Sequence, residues 1–265
     1  MSRTFKALVV RQDGRNFTRS IEQRDISELP KGEVLIRVHF SSLNYKDGLS
    51  CSGVRTVTRH YPHTPGVDAA GVIESTSVDR FKVGDHVVVI SFDLGMNTSG
   101  GFGEYIRIPS EWAVAKPNGL TLRESMIIGT AGFTAGLSVQ GLVEHYVTPE
   151  KGDVLVTGAT GGVGSVAVAL LAKAGYSVVA CTGKKEHEAF LKALGASKVI
   201  TRDELLENKE RPMLKELYAG AIDTVGGEYL AQAIKATQYG GTVTCCGLTA
   251  SAELNVSVFP FILRG

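Results

Sequence analysis

Residues 154–164 read Val-Leu-Val-Thr-Gly-Ala-Thr-Gly-Gly-Val-Gly, and the apolar run 165–172 follows without a break. A β-branched strand that enters a glycine-rich turn and leaves as a helix aims backbone N–H groups and a helix N-terminus at one point, which is how a pyrophosphate is held. The glycines, Gly158, Gly161 and Gly164, are spaced G-x-x-G-x-x-G rather than G-x-G-x-x-G, so the strand before and the helix after carry the assignment. This half of the chain is thereby constrained to a βα unit, with a dinucleotide as the expected ligand.

The next strand, residues 176–183, points to the kind of dinucleotide. An NAD site places an Asp or Glu roughly 20 residues past the glycines to accept the ribose 2′-OH. Here the strand ends instead in Thr182, Gly183, Lys184 and Lys185: a hydroxyl, a flexible glycine and two ammonium groups. Such groups suit the 2′-phosphate of NADPH. The other reading of the lysines is a solvated pair at the start of the helix expected over 186–194, where cations are mildly unfavourable.

Composition excludes several classes. With 265 residues the chain is long enough for two domains, and a net charge of +1 without a basic stripe argues against nucleic acid or an anionic membrane as partner. The 31 glycines are scattered among strands and turns, which excludes a fibrous or low-complexity chain. Cys51, Cys181, Cys245 and Cys246 form no C-x-x-C pair, and the last two fall in a strand expected to be buried; all four read as reduced residues of a cytoplasmic protein. No run nears the roughly 18 apolar residues of a membrane span, and no export signal is expected.

Up to about Pro117, short strands are expected at 5–10, 33–43, 66–74, 85–90, 103–108 and 111–115, punctuated by Gly14, Gly32, Gly84 and Gly100-Gly101, with a short helix after Tyr45. From Thr121 helical spacing covers 122–129 and 130–144. Strands (153–157, 176–181, 198–200, 221–225, 241–246) then alternate with helices (165–174, 186–194, 228–236). Alternation of this kind implies parallel βαβ units in a doubly wound sheet. About five strands are counted where a complete sheet of this order has six, and 261–265 is expected to lead into another strand.

Asn44-Tyr-Lys-Asp47, Thr64-Pro-Gly-Val-Asp68 with Gly71, Gly84-Asp85, residues 129–135, the 158–164 turn, residues 220–225 and residues 259–264 occur in one order. In these motifs the whole chain resembles the medium-chain dehydrogenase/reductase superfamily, within it the zinc-free, NADPH-dependent acrylyl-CoA reductase and quinone oxidoreductase group. The resemblance implies an α/β chain: a GroES-like β domain, residues 1–120, and a doubly wound parallel Rossmann sheet, residues 121–265, with the active site in the cleft between them. Members of the family continue past the position of Gly265 to complete the sheet, so the Rossmann domain is expected to be C-terminally truncated. Superfamily members commonly pair as homodimers through sheet edges, and 254–263 is the expected interface.

The resemblance also bears on metal. Zinc members carry a Cys near the position of Asn44 and Gly-His-Glu where this chain has Gly66-Val67-Asp68, and a catalytic zinc needs about three protein ligands. No metal is expected, and a lone His63 before Thr64-Pro65 reads as a packing or surface residue.

A reductase without a metal must polarise a conjugated carbonyl with preorganised donors and protonate the carbon next to it. The candidates are Tyr45, Asn44 and Asp47, and related proteins use the tyrosine matching Tyr45 to contact NADPH. Asp47 either orients Tyr45 or caps the following turn; Asn44 is either an amide donor or an Asx-turn residue. By the same carry-over Thr160, Gly161, Gly162 and Val163 line the pyrophosphate, and Thr182, Gly183, Lys184 and Arg202 hold the 2′-phosphate. Leu248 and Ile262, taken to follow strand ends, pack near the nicotinamide. Arg202 reads alternatively as a surface charge beside a helix, and Lys184 stands where members often have Arg, losing the bidentate fork. The implied substrate is a small molecule, an enoyl-CoA such as acrylyl-CoA, with a quinone or unsaturated ketone as the alternative and a non-catalytic NADPH-binding protein as the third reading. Arg55, Arg59 and His60 offer a place for CoA phosphates or form a solvated basic loop.

Overall fold

The structure, a computed structural model, describes residues 3–265, and these divide into two compact units that meet between Thr130 and Ala131. The first is built on antiparallel β-structure. A hairpin of β1 (Thr4–Asp13) and β2 (Asn16–Asp25) accompanies a five-stranded sheet in the order β6-β3-β4-β5-β7, made of β3 (Val34–Phe40), β4 (Asp68–Thr76), β5 (His86–Ile90), β6 (Tyr105–Ile108) and β7 (Val114–Ala115). Alternate residues of these strands, Val34, Ile36, Ile73, Val87, Val89, Ile106 and Ile108, form one closed apolar cluster, as expected of strands with one face turned to a core. The helix α1 (Tyr45–Cys51) follows β3 by way of residues 41–44.

Two expectations are corrected here. Strand β2 was not foreseen, because its sequence, Asn-Phe-Thr-Arg-Ser-Ile-Glu-Gln-Arg-Asp, is polar on both faces and mostly exposed; the Asp13-Gly14 pair, with Gly14 at φ +58°, is the hairpin signal that would have found it. Residues 110–112 form a 3₁₀ turn, leaving only Val114–Ala115 as strand.

The helix α2 (Leu122–Glu144) bends where the sequence divides it, at Gly129 (φ 49°, ψ −158°). A Cβ at that position would stand 2.6 Å from Asp68 Oδ2 and 3.0 Å from Ser42 Oγ, so only glycine fits. This helix also corrects the expectation about apolar runs. With a mean hydropathy of 1.4 it is long and apolar enough to cross a membrane by length and composition, because isolated Thr, Ser and Gln interrupt its run without lowering the average. The break at Gly129 divides that length, and Ala135 and Leu142 are buried in the core of the second unit.

The second unit is a five-stranded parallel sheet in the order β10-β9-β8-β11-β12: β8 (Val154–Val156), β9 (Val178–Thr182), β10 (Lys198–Thr201), β11 (Tyr218–Asp223) and β12 (Thr237–Cys245). Helices α3 (Gly162–Lys173), α4 (Glu188–Ala193), α5 (Arg202–Leu206) and α6 (Gly227–Ala236) connect them. Apolar clusters centred on Val154, Val156 and Leu171 and on Leu155, Val179 and Ala221 cover the two faces, as a doubly wound sheet requires. Strand order reverses direction between β8 and β11, and such sheets bind ligands beyond the carboxyl ends of the strands at that point.

At the C-terminal end the expectation of a strand is wrong. Residues Phe259–Arg264 form a helix, α7, with Pro260 in its first turn, where its missing N–H costs no hydrogen bond. Ile262 therefore does not follow a strand end; it projects from a helical turn and is 67% exposed. Cys245 and Cys246 are exposed rather than buried, because β12 is an edge strand with β11 as its one neighbour among the described residues.

Candidate active site

In the second unit the three glycines of the turn after β8 serve three different needs. Gly158 has φ +60°, and its missing side chain makes room for Thr224 Oγ1 and Val225. Gly161 is the N-cap of α3 and offers no side-chain acceptor to the first turn. Gly164 is buried against the Gly158 carbonyl and Ala159 Cα, so the helix starts closer to β8 than any side chain allows. The first-turn N–H groups at Gly162, Val163 and Gly164 thus point from a close-set helix end with no side chain capping them, an arrangement that could hold an anion by geometry and dipole.

The strand ends around this turn are stitched together by a carboxylate the sequence reading passed over. Buried Asp223 accepts the Thr157 hydroxyl (2.6 Å) on Oδ1 and the Val225 (3.2 Å) and Gly226 (2.7 Å) N–H groups on Oδ2. Thr224 returns two bonds, N–H to Thr157 Oγ1 (3.1 Å) and hydroxyl to Thr157 carbonyl (2.9 Å). Asp223 is thereby saturated by donors from its own chain.

At the end of β9, Thr182 is buried and its hydroxyl lies 3.1 Å from that of Thr160 while accepting the Lys184 N–H (3.0 Å). Arg202 is the first residue of α5. The helix is fixed by a capping box in which Thr201 Oγ1 accepts the Glu204 N–H (3.2 Å) and Glu204 returns to the Thr201 N–H (2.6 Å). The Thr-x-x-Glu pattern at 201–204 is the signal that would have predicted this helix. The structure thus brings together Thr160, Thr182, Gly183, Lys184 and Arg202, and sets Gly161, Gly162 and Val163 at the neighbouring helix end. Leu248 follows β12 and is 64% exposed; Ile262 lies on α7, which packs on β12, and is exposed as well.

In the first unit the organising group is Asp68, fully buried at the start of β4. Its Oδ2 accepts the Ser42 hydroxyl, the Asn44 amide (3.0 Å) and the Thr130 N–H (2.9 Å), and its Oδ1 accepts the Thr130 hydroxyl (2.5 Å). An ionised carboxylate is an acceptor only, which fixes the Asn44 NH₂ toward it. The second Asn44 proton goes to Ser42 Oγ (3.0 Å). Both amide protons of Asn44 are engaged.

Asp47 is also buried and caps rather than orients. Its Oδ2 accepts the Asn44 N–H (2.8 Å), and its Oδ1 accepts the N–H groups of Gly66 (3.2 Å) and Val67 (2.9 Å). Burial raises its pKa against the pull of those donors. Tyr45, the first residue of α1, is 66% exposed. His63 is buried with Nε2 on the Gly95 carbonyl (2.9 Å), and burial lowers its pKa. Arg55 is drawn onto the Arg59 carbonyl and Gln12 Oε1 (2.5 Å), so its guanidinium is already held within the loop. Among the described residues no group of three His, Cys, Asp or Glu side chains is placed to hold a metal.

The family model described as "Alcohol dehydrogenase GroES-like domain" matches residues 30–118, and that described as "Zinc-binding dehydrogenase" matches 162–265. The Bacillus subtilis protein named "Putative quinone oxidoreductase YhfP" is 45% identical over 265 residues, covering all of this chain and 80% of its own length. The chain belongs to the medium-chain dehydrogenase/reductase superfamily. A crystal structure of B. subtilis YhfP with NAD bound superposes with a TM-score of 0.96, covering 99% of this chain and 80% of that one at 45% identity. The acrylyl-CoA reductase AcuI of Ruegeria pomeroyi is 44% identical over 263 residues, which cover 98% of this chain and 80% of its own. YhdH of Escherichia coli K-12, solved with bound NADPH, has a TM-score of 0.94 at 46% identity, over 97% of this chain and 79% of that one. As a superfamily member the chain is an oxidoreductase with a GroES-like part and a Rossmann-like parallel sheet.

Proposed function

We propose that the protein reduces the carbon–carbon double bond of a small enoyl thioester of the acrylyl-CoA type at the expense of NADPH. The observation that carries the reading is the end of β9, where Thr182, Gly183, Lys184 and the Arg202 guanidinium gather beside the open first turn of α3. The residues present fit the cofactor: a Cβ at Gly158 or Gly164 would fill the turn, and the donors left open there are N–H groups and cations. Thr160, Gly161, Gly162 and Val163 would hold the pyrophosphate, and Thr182, Gly183, Lys184 and Arg202 the 2′-phosphate. NADPH, when bound, supplies a hydride for the β-carbon of the substrate.

The substrate half of the reading rests on likeness to the R. pomeroyi acrylyl-CoA reductase and on the polarity of the Asp68 knot. Negative charge gathers on the thioester oxygen as the β-carbon is reduced, and a donor must meet it. Asn44 and the Thr130 hydroxyl both donate to Asp68, and Asp47 is engaged by backbone donors. Two donors in this segment, the Tyr45 hydroxyl and the Lys46 ammonium, are exposed, and by its likeness to the tyrosine that contacts NADPH in related proteins we assign Tyr45 to the substrate oxygen. Asn44 and Asp47 hold the turn that presents it. The name of YhfP favours a quinone as the second reading. Four free thiols suit a cytoplasmic protein.

The test follows NADPH absorbance with acrylyl-CoA and with a simple benzoquinone as oxidants. The reading expects kcat/KM for acrylyl-CoA to exceed that for the quinone at least about tenfold, equivalent to roughly 1.4 kcal/mol of transition-state discrimination. A preference for the quinone overturns it.

A further inference from the structure

The cations at the end of β9 differ in how they are held. Lys184 and Lys185 are exposed, and no ion pair among the described residues fixes either ammonium. Arg202 is exposed as well, yet its side chain has a defined seat. On one side lies the main chain of Gly183: a Cβ there would stand 2.6 Å from Arg202 Nε, 2.8 Å from Cζ and 2.9 Å from Cδ. The ring of Tyr229 is the second neighbour, with Arg202 Cζ 5.6 Å from its centroid, within the range of a cation–π contact. Tyr229 is itself fixed, since it projects from α6 and packs against the apolar cluster of Leu155, Val179 and Leu205.

We infer that Gly183 and Tyr229 are positioning residues that hold the Arg202 guanidinium in place, and that this placement sets the selectivity for a 2′-phosphorylated dinucleotide. The inference rests on the NADPH reading above. A guanidinium engages a phosphate through a planar fork, so its worth depends on direction as well as charge. A side chain already seated loses less freedom on binding than one that must be ordered by the ligand. The two lysines supply charge without direction; the arginine, seated against a bare Cα and an aromatic ring, supplies both.

Gly183 gives an unusually clean probe. Its φ lies outside the left-handed region, so alanine fits the backbone, and the atoms it would strike belong to a flexible side chain. Gly183→Ala should therefore keep the fold and displace Arg202. Tyr229→Leu removes the aromatic neighbour, and Tyr229→Phe keeps it.

The experiment measures dissociation constants for NADPH and NADH by nucleotide fluorescence, and for 2′,5′-ADP and 5′-AMP by calorimetry, with a thermal melt of each variant. In Gly183→Ala and Tyr229→Leu the dissociation constants of NADPH and 2′,5′-ADP should rise roughly tenfold, the scale of one charge-assisted hydrogen bond. Those of NADH and 5′-AMP should move less than about twofold, and Tyr229→Phe should match the parent. If Tyr229→Leu does not fold, Gly183→Ala decides alone. A parent protein that prefers NADPH and keeps that preference in Gly183→Ala, or loses NADH equally, overturns the inference alone. A parent that binds NADPH and NADH equally overturns the cofactor reading and this inference with it.

Discussion

Thr130 meets Asp68 twice, through its backbone N–H on Oδ2 (2.9 Å) and its hydroxyl on Oδ1 (2.5 Å). The contact joins the bend of α2 to the start of β4 and, through Ser42 and Asn44, to the turn before α1. The carboxylate at its centre is fully buried, and three chain segments converge on it.

Asp68→Ala should therefore destabilise the protein by about 1–3 kcal/mol, because it removes the buried acceptor of four hydrogen bonds whose half-buried donors regain only part of their solvation. Urea unfolding measures it, and Asp68→Asn should fall between the two. A loss below about 1 kcal/mol would show that the knot is not what holds these segments.

Tyr45→Phe should lower turnover about 10- to 100-fold, at or below the lower end of the range for a positioned proton or hydrogen-bond donor, as suits an exposed hydroxyl. NADPH affinity by fluorescence should stay within a few-fold of the parent. An unchanged kcat would remove Tyr45 from the chemistry.

The purified protein should contain no stoichiometric zinc, and activity should survive prolonged chelation. The position matching the zinc members' Glu is Asp68, whose oxygens are occupied by four donors, and His63 is turned to the Gly95 carbonyl. Elemental analysis giving about one zinc per chain would contradict this.

Stability should fall on the acid side through His63. Burial depresses the folded-state pKa of its imidazole, so below the unfolded value of about 6.5 the unfolded chain binds the extra proton and the unfolding free energy drops as pH falls. His63→Gln should flatten the curve below about pH 6.5, whatever it does to stability at pH 8. A curve of the same slope in both proteins would sink the assignment.

A homodimer is expected through the β12 edge and residues 254–263. Among the described residues β12 has β11 as its one neighbouring strand, and Tyr239, Val258, Phe261, Ile262 and Leu263 are exposed beside it. Light scattering at micromolar concentration should give twice the chain mass; a monomer throughout that range counts against it.

Much of this architecture was legible because periodicity and turn chemistry agreed. The parallel strands, their count and the split of α2 at Gly129 all followed from apolar spacing and glycine placement. Strand β2 escaped because an exposed hairpin arm has no apolar face to read. The end of the chain was misread because Phe-Pro-Phe-Ile-Leu is apolar enough for either state, and only Pro260 at a helix start argued for the right one. Within the site, the nucleotide side was visible as glycines and cations. Asp68 and Asp223 were not, because a saturated buried carboxylate looks in sequence like any other acid; its partners lie between 2 and 66 residues away. Tyr229 was hidden for the same reason, reaching Arg202 from a different helix.

The absence of side-chain caps on the first turn of α3 separates two kinds of recognition. Main-chain N–H groups do not titrate, so a pyrophosphate held there would meet no protein group that changes charge with pH. The proposed grip on the 2′-phosphate relies on formal charges and is screened by added salt more strongly than the partial charges of a helix end. Rising salt should therefore erode the distinction between the two nicotinamide cofactors before it erodes attachment of either.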